Sequence, residues 1–222
     1  MFRAMAMKEL REIRGIAIAG AIAYWHLAAA AVNPNLLPPG TRQSIMPPFV
    51  DDGFFGGWFV CISVIVTIAL GLRQTLGESI AGTYPFLFHR PAGRRWLIGM
   101  KLLAGMIAYL VGGPVAIVAY GIWAATPGTH ASPFAWAMAV PYWVFWFGMS
   151  LLYLGAFLSG LRPGRWYGTR LLPLAASGFA AFLVFLSALV FGKVLLPLLL
   201  VLLAGAWIIA MIFLVARTRD YS

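Results

Sequence analysis

Residues 53–72 read GFFGGWFVCISVIVTIALGL, a run without one charged side chain, and residues 73–95 read RQTLGESIAGTYPFLFHRPAGRR, where arginine returns four times. The hydrocarbon core of a bilayer is about 30 Å thick, and a helix rising about 1.5 Å per residue crosses it in about 20 apolar residues. The first run is long enough to span, and the second marks the chain's emergence into water. Further apolar stretches place spans over 15–32, 97–125, 134–160, 171–191 and 194–216, all free of charge except 97–125, whose charge-free run begins after Lys101. With 53–72 they make six, and the connecting segments are too short to hold a separate soluble domain.

Composition agrees. Of the 222 residues, 62% are hydrophobic and 10% are charged, against about 25% charged in an ordinary soluble domain. A soluble enzyme is excluded, and so is a disordered basic tail, which needs low hydrophobicity. The expected architecture is an all-α integral membrane protein, a single transmembrane domain over 1–222. An even number of spans places both termini on one side. Arg3, Lys8, Arg11, Arg14, Arg73, Arg90, Arg94, Arg95, Lys101, Arg162, Arg165, Arg170, Arg217 and Arg219 fall there, and only Arg42 and Lys193 fall opposite. Lys and Arg concentrate in cytoplasmic loops, so both termini are expected in the cytoplasm. This asymmetry accounts for the net charge of +10, and no nucleic-acid partner is expected.

Local features refine the picture. Residues 1–14 pattern as an amphipathic helix, with Phe2, Met5, Ala6, Leu10 and Ile13 on one side and Arg3, Lys8, Arg11 and Arg14 on the other. Such a helix is expected to lie in the interface against anionic lipid. A cleaved signal peptide ending near Ala28-Ala29-Ala30 is the weaker reading, because the apolar core exceeds the usual length and Glu9 and Glu12 do not suit a basic leader. Gly15, Ala19 and Ala23, and the pairs Ala176/Ala180 and Ser177/Ala181, are candidate close-packing seams. The outer loop 33–52 is proline-rich and ends in Asp51-Asp52, read as a solvated pair at a helix start. Gly112-Gly113-Pro114 should bend the third span. The aromatics between Phe134 and Phe147 are expected to pack or face lipid rather than line a path, and Gly192-Lys193 makes a tight turn.

Catalytic chemistry finds little to build on. Cys61 is alone, so no internal disulfide is possible. His26, His89 and His130 lie at three depths and do not assemble a metal site, and His26 is expected to be a packing residue rather than a proton relay. There is no phosphate-binding loop and no nucleophile elbow. No catalytic residue, cofactor or metal is expected.

Segment 73–95 is the longest inner loop. It combines a helical stretch near 75–81, the apolar Phe86-Leu87-Phe88, and the basic His89-Arg90-Pro91 and Arg94-Arg95. An apolar patch rimmed by charge marks a protein-binding surface; the alternative is that the phenylalanines dip into the bilayer interface. The run Glu78, Gly82-Thr83, Phe86-Leu87, Arg90-Pro91, Arg94-Arg95, Leu97 and Lys101-Leu102-Leu103 resembles the signature of permease subunits of ABC-2 type transporters. That resemblance implies a bacterial inner-membrane protein working with a separate ATP-binding cassette subunit and a second permease subunit, as a homodimer or heterodimer. It implies that Glu78, Phe86, Phe88, His89, Arg90, Arg94 and Arg95 contact the ATPase. A second reading is a membrane scaffold that recruits a cytoplasmic partner through 73–95 without transport.

Overall fold

The computed structural model describes residues 2–33, 36, 48–49, 53–80, 93–129, 133–162, 169–191 and 194–218. The first element is α1 (Phe2–Val32), 31 residues without a break. The amphipathic segment expected over 1–14 is therefore continuous with the first span. Its Met5, Glu9 and Ile13 are buried, and the same face continues through Tyr24 and Leu27, so one stripe at helical spacing packs inward along the whole length. Helix α2 (Gly53–Ile80) also outruns expectation. The helical stretch expected near 75–81 within the inner loop is present as far as Ile80, but it continues the span without a break, and Gln74, Thr75 and Glu78 are buried rather than solvated. They share a face with Ser63 and Thr67, also buried, and find partners inside the bundle.

The third span is two helices, α3 (Arg94–Gly112) and α4 (Pro114–Ala125). Gly113 joins them in a right-handed helical conformation, and its N–H donates to the Tyr109 carbonyl at 3.4 Å. Pro114 supplies no N–H, so the ladder is interrupted there. The Trp146 indole packs where a Gly113 side chain would stand. A 3-10 turn, Trp136–Ala139, leads into α5 (Val140–Gly148), and Met149 links this to α6 (Ser150–Leu161). Helices α7 (Leu172–Phe191) and α8 (Leu195–Thr218) complete the bundle; the turn Gly192-Lys193 lies outside the described residues.

Helix α6 is the axis of the molecule. All twelve of its residues are buried, and α2, α7 and α8 pack around it, while α1 packs on α2, α3 and α4. Glycine sets the closeness of these contacts. A Cβ on Gly71 would stand 2.7 Å from the Tyr153 carbonyl oxygen, Gly155 faces Ser177, and Gly160 faces Thr75. Without a hydrophobic drive between helices in lipid, such close approach supplies dispersion contact. Of the expected seams, Ser177 and Ala181 are buried in the bundle, whereas Gly15 and Ala19 lie on the exposed face of α1.

At the α2 N-terminal end the core is aromatic. Phe55 stacks on Tyr120 at 4.6 Å, and Phe49 lies 4.7 Å from Tyr120 and 5.1 Å from Tyr142. Phe134 and Phe145 join at the edges, in rings packed against rings. Among the described residues, five helical segments are long and apolar enough to cross a bilayer: Met5–Val32, Phe54–Glu78, Arg94–Ala125, Trp136–Leu161 and Leu195–Thr218. These suit a multi-pass membrane protein, and α7 is a sixth apolar helix, of 20 residues.

Substituting Gly71→Val should force α2 off α6 and cost about 1–3 kcal/mol, the usual range for overpacking. Thermal unfolding in detergent measures this. Gly57→Ala, at an exposed glycine with nothing within 4 Å of its missing side chain, should leave the transition in place.

Candidate functional site

At the C-terminal end of α2 the bundle holds a cluster of charges drawn from three helices. Lys101 of α3 is 0% exposed. Burying an ammonium costs several kcal/mol unless it is paired and hydrogen-bonded. Its Nζ donates to Glu9 Oε2 at 2.9 Å and lies 3.0 Å from Glu78 Oε1 and 3.6 Å from Glu12 Oε2. Lys8, one turn before Glu12 on α1, reaches Glu78 Oε1 at 2.6 Å and Glu12 at 3.1 Å. The Glu78 oxygen thus accepts from cations of two different helices. Glu9 and Glu78 are themselves buried, and Glu9 Oε1 has no hydrogen-bond partner among the described residues.

Three carboxylates within 4.8 Å of one another could hold a metal ion. Here two ammonium groups already stand among them, and a divalent cation would have to displace both. The donor set fits an ion-pair cluster, two cations against three anions, better than a metal centre.

A second layer lies deeper in the bundle. Gln74 Nε2 donates to the Lys101 carbonyl at 2.6 Å. The Tyr153 hydroxyl, from α6, lies 2.7 Å from Gln74 Oε1 and 2.9 Å from the Leu102 carbonyl, two acceptors sharing one proton. These side chains reach backbone carbonyls of α3 because Gly105 stands one turn on; a Cβ there would collide with both Gln74 and Tyr153. The cluster therefore ties α1, α2 and α3 together, and the amide layer extends the tie to α6. No nucleophile paired with a base occurs in it. Its capacity is mechanical, fixing three helix ends around the point where the chain leaves α2.

Of the residues expected to meet a partner, Glu78 is buried and its carboxylate turns inward to Lys8 and Lys101. Arg94 and Arg95 are exposed in the first turn of α3, behind Gly93, which offers no side-chain cap. Cations at a helix N-terminus oppose the helix dipole, so local helix electrostatics do not explain their position. Phe86, Phe88, His89 and Arg90 lie outside the described residues, as do His130, Asp51 and Asp52. His26 is exposed on α1 rather than packed. The pairing of Glu9, Glu12 and Glu78 with Lys101, and of Lys8 with the same carboxylates, is not foreseen from the sequence. The available signal was Lys101 itself, a charge set between Leu97-Ile98-Gly99-Met100 and Leu102-Leu103, where only an internal partner makes it tolerable. Comparison with family models, with curated proteins and with solved structures finds no match for this chain.

Lys101→Met leaves Glu9 and Glu78 buried with one cation fewer and should cost about 3–5 kcal/mol, as removal of one partner from a buried pair does. Adding Glu9→Gln should recover part of that loss, with a coupling of about 1–3 kcal/mol between the two sites in a double-mutant cycle of detergent unfolding. Additive losses would show that Glu9 and Lys101 do not act as a pair.

Proposed function

We propose that this chain is the membrane-spanning permease subunit of an ATP-driven transporter of ABC-2 type, moving its cargo with energy from a separate ATP-hydrolysing subunit. The observation that supports this reading best is the contact between Glu78 and Lys101, 3.0 Å apart. They are the acidic and basic ends of the motif that carries the resemblance, separated by an apolar and arginine-rich segment. Their pairing closes that segment at its base and fastens it to α2 and α3. In this reading α7 is the sixth span, both termini are cytoplasmic in a bacterial inner membrane, and a second permease subunit completes the pathway.

The role of Glu78 changes accordingly. It anchors the loop from within, while Phe86, Phe88, His89 and Arg90, with the exposed Arg94 and Arg95, form the face offered to the ATPase. Aromatic side chains and arginines supply most of the energy at such interfaces, and complementary charge steers assembly. Movement of the partner would pull on the loop, and the ion-pair cluster would pass that displacement to α1, α2 and α3 together. Within the described spans, the charges are confined to this one end.

The test is co-purification of the full chain with an ATP-hydrolysing subunit. Phe86→Ala combined with Arg94→Ala should weaken the complex about 30-fold or more, the effect of losing one hot spot of about 2 kcal/mol, without changing the unfolding transition of the chain alone. A stable complex that does not change conformation with ATP would favour the scaffold reading instead. Transport by the chain alone in vesicles, with no nucleotide, would end the proposal.

A further inference from the structure

A cleft of about 250 Å³ lies between α7 and α8, with the end of α6 along its base. Three alanines make the space, Ala176 and Ala180 from α7 and Ala204 from α8. Elsewhere the exposed surfaces of these two helices carry large side chains, among them Phe179, Phe182, Leu202 and Leu203. From Leu172 to Ala180 the cleft follows α7 for about 12 Å at 1.5 Å per residue. Trp207 borders it from α8 and is itself exposed.

The polarity of the lining is one-sided. Arg162, which caps α6, stands in the lining at the end where α7 begins. Among the described residues its hydrogen bond is a long one, Nη1 to the Thr169 carbonyl at 3.3 Å, and a guanidinium has five donors. The other polar side chain is Ser177, whose hydroxyl donates within its own helix to the Leu174 carbonyl at 2.9 Å. Water is a poor occupant, because a buried water needs two to four polar partners. A partner helix, about 10 Å across, is too wide for the space. What fits is a hydrocarbon chain with an anionic group at one end.

We propose that the α7–α8 cleft binds an acyl chain of an anionic phospholipid, with the lipid phosphate on Arg162. The lipid belongs to the leaflet at the N-terminal end of α7, and its chain lies against Ala176, Ala180 and Ala204. Basic side chains at the ends of membrane helices recruit anionic head groups, and the apolar cleft adds a place for the tail. The site requires that the chain be a multi-pass membrane protein, but it stands whether or not an ATPase partner exists.

Quenching of Trp207 by phospholipids brominated on the acyl chain tests this. The purified full chain in detergent is titrated with brominated phosphatidylglycerol or brominated phosphatidylcholine, and the Trp207 signal is taken as the difference from Trp207→Phe. The anionic lipid should reach half-quenching at about five-fold lower mole fraction, the contribution of one arginine near a head group. Arg162→Gln should bring the two lipids together. Ala180→Leu and Ala204→Leu, which fill the cleft from opposite walls, should each reduce quenching by both lipids. Unbrominated phosphatidylglycerol should restore fluorescence, and inorganic phosphate should not. Equal quenching by the two lipids in the unaltered chain would overturn the proposal, as would quenching that survives both alanine substitutions. Displacement by inorganic phosphate alone would reduce the site to an anion contact and overturn it too. Unfolding transitions check that the variants fold. Should the two leucine variants be unstable, Arg162→Gln, at a partly exposed helix end, still decides whether the preference for anionic lipid belongs to this site.

Discussion

An ammonium group with no exposed surface has few ways to exist inside an apolar bundle. Lys101 is held by Glu9 of α1 and Glu78 of α2, and much of the architecture near that end follows from satisfying it. Helix α1 has to begin well before its apolar stretch, because Glu9 must lie against α3. Helix α2 has to extend past Leu72, because Glu78 must come within reach of the same nitrogen. The third carboxylate and Lys8 then balance one another over a Glu78 oxygen that both cations share. Buried ion pairs contribute little net stability compared with apolar packing of the same volume, but losing one partner is costly. The cluster is better understood as fixing which helices meet, and in what register, than as the main source of stability.

The two ends of the bundle solve opposite problems. At the α2 N-terminal end, Phe55, Tyr120, Tyr142 and Phe49 pack ring against ring, an arrangement that buries large areas with few polar demands. At the other end, charge and amide groups bond to one another and to backbone carbonyls. Between them runs the buried polar face of α2. Tyr24 and Ser63 share a hydrogen bond at 2.8 Å, and Thr67 returns its hydroxyl to the Ser63 carbonyl at 2.7 Å. Glycines at 71, 105, 155 and 160 permit the close spacing that these short side chains need. Substituting larger apolar residues for the hydroxyls would remove the bonds and also push α2 away from its neighbours.

Much of this was legible in the sequence because the bilayer imposes a length and an apolar content that few other environments demand. The helical class, the long apolar elements and the joint at Gly113–Pro114 follow from such constraints. Boundaries were less legible. Arg73, Gln74 and Glu78 read as the start of a loop, since polar residues end most spans. Whether a polar side chain is solvated or satisfied inside depends on residues distant in the chain, here Lys8 and Lys101. Residues 1–14 are ambiguous in the same way: opposite sides of charge and apolarity suit an interfacial helix, and the position of Glu9 on the Met5–Ile13 face also suits a helix docked on a buried lysine. The α6 axis left a clearer trace in its glycines, Gly155 and Gly160, than in its hydrophobicity, which is shared by every other helix.

The placement of the tie and the joint along the third span has a mechanical consequence. Below Gly113, α3 is fixed to α1, α2 and α6 through Lys101, Gln74 and Tyr153. Above it, α4 contributes Tyr120 to the aromatic core. The joint between them lacks one backbone hydrogen bond because of Pro114 and is held instead by side chains. The Trp146 indole sits against Gly113, and the Tyr109 hydroxyl donates to the Trp146 carbonyl at 2.8 Å. A load applied at Arg94 therefore meets a stiff segment first and a joint second. Side-chain contacts at a joint exchange partners at lower cost than a helical ladder unwinds. A bend at Gly113 therefore reorients α4 on α3, while the unbroken α1 and α2, each reaching from the charged end toward the aromatic end, hold those two ends in register.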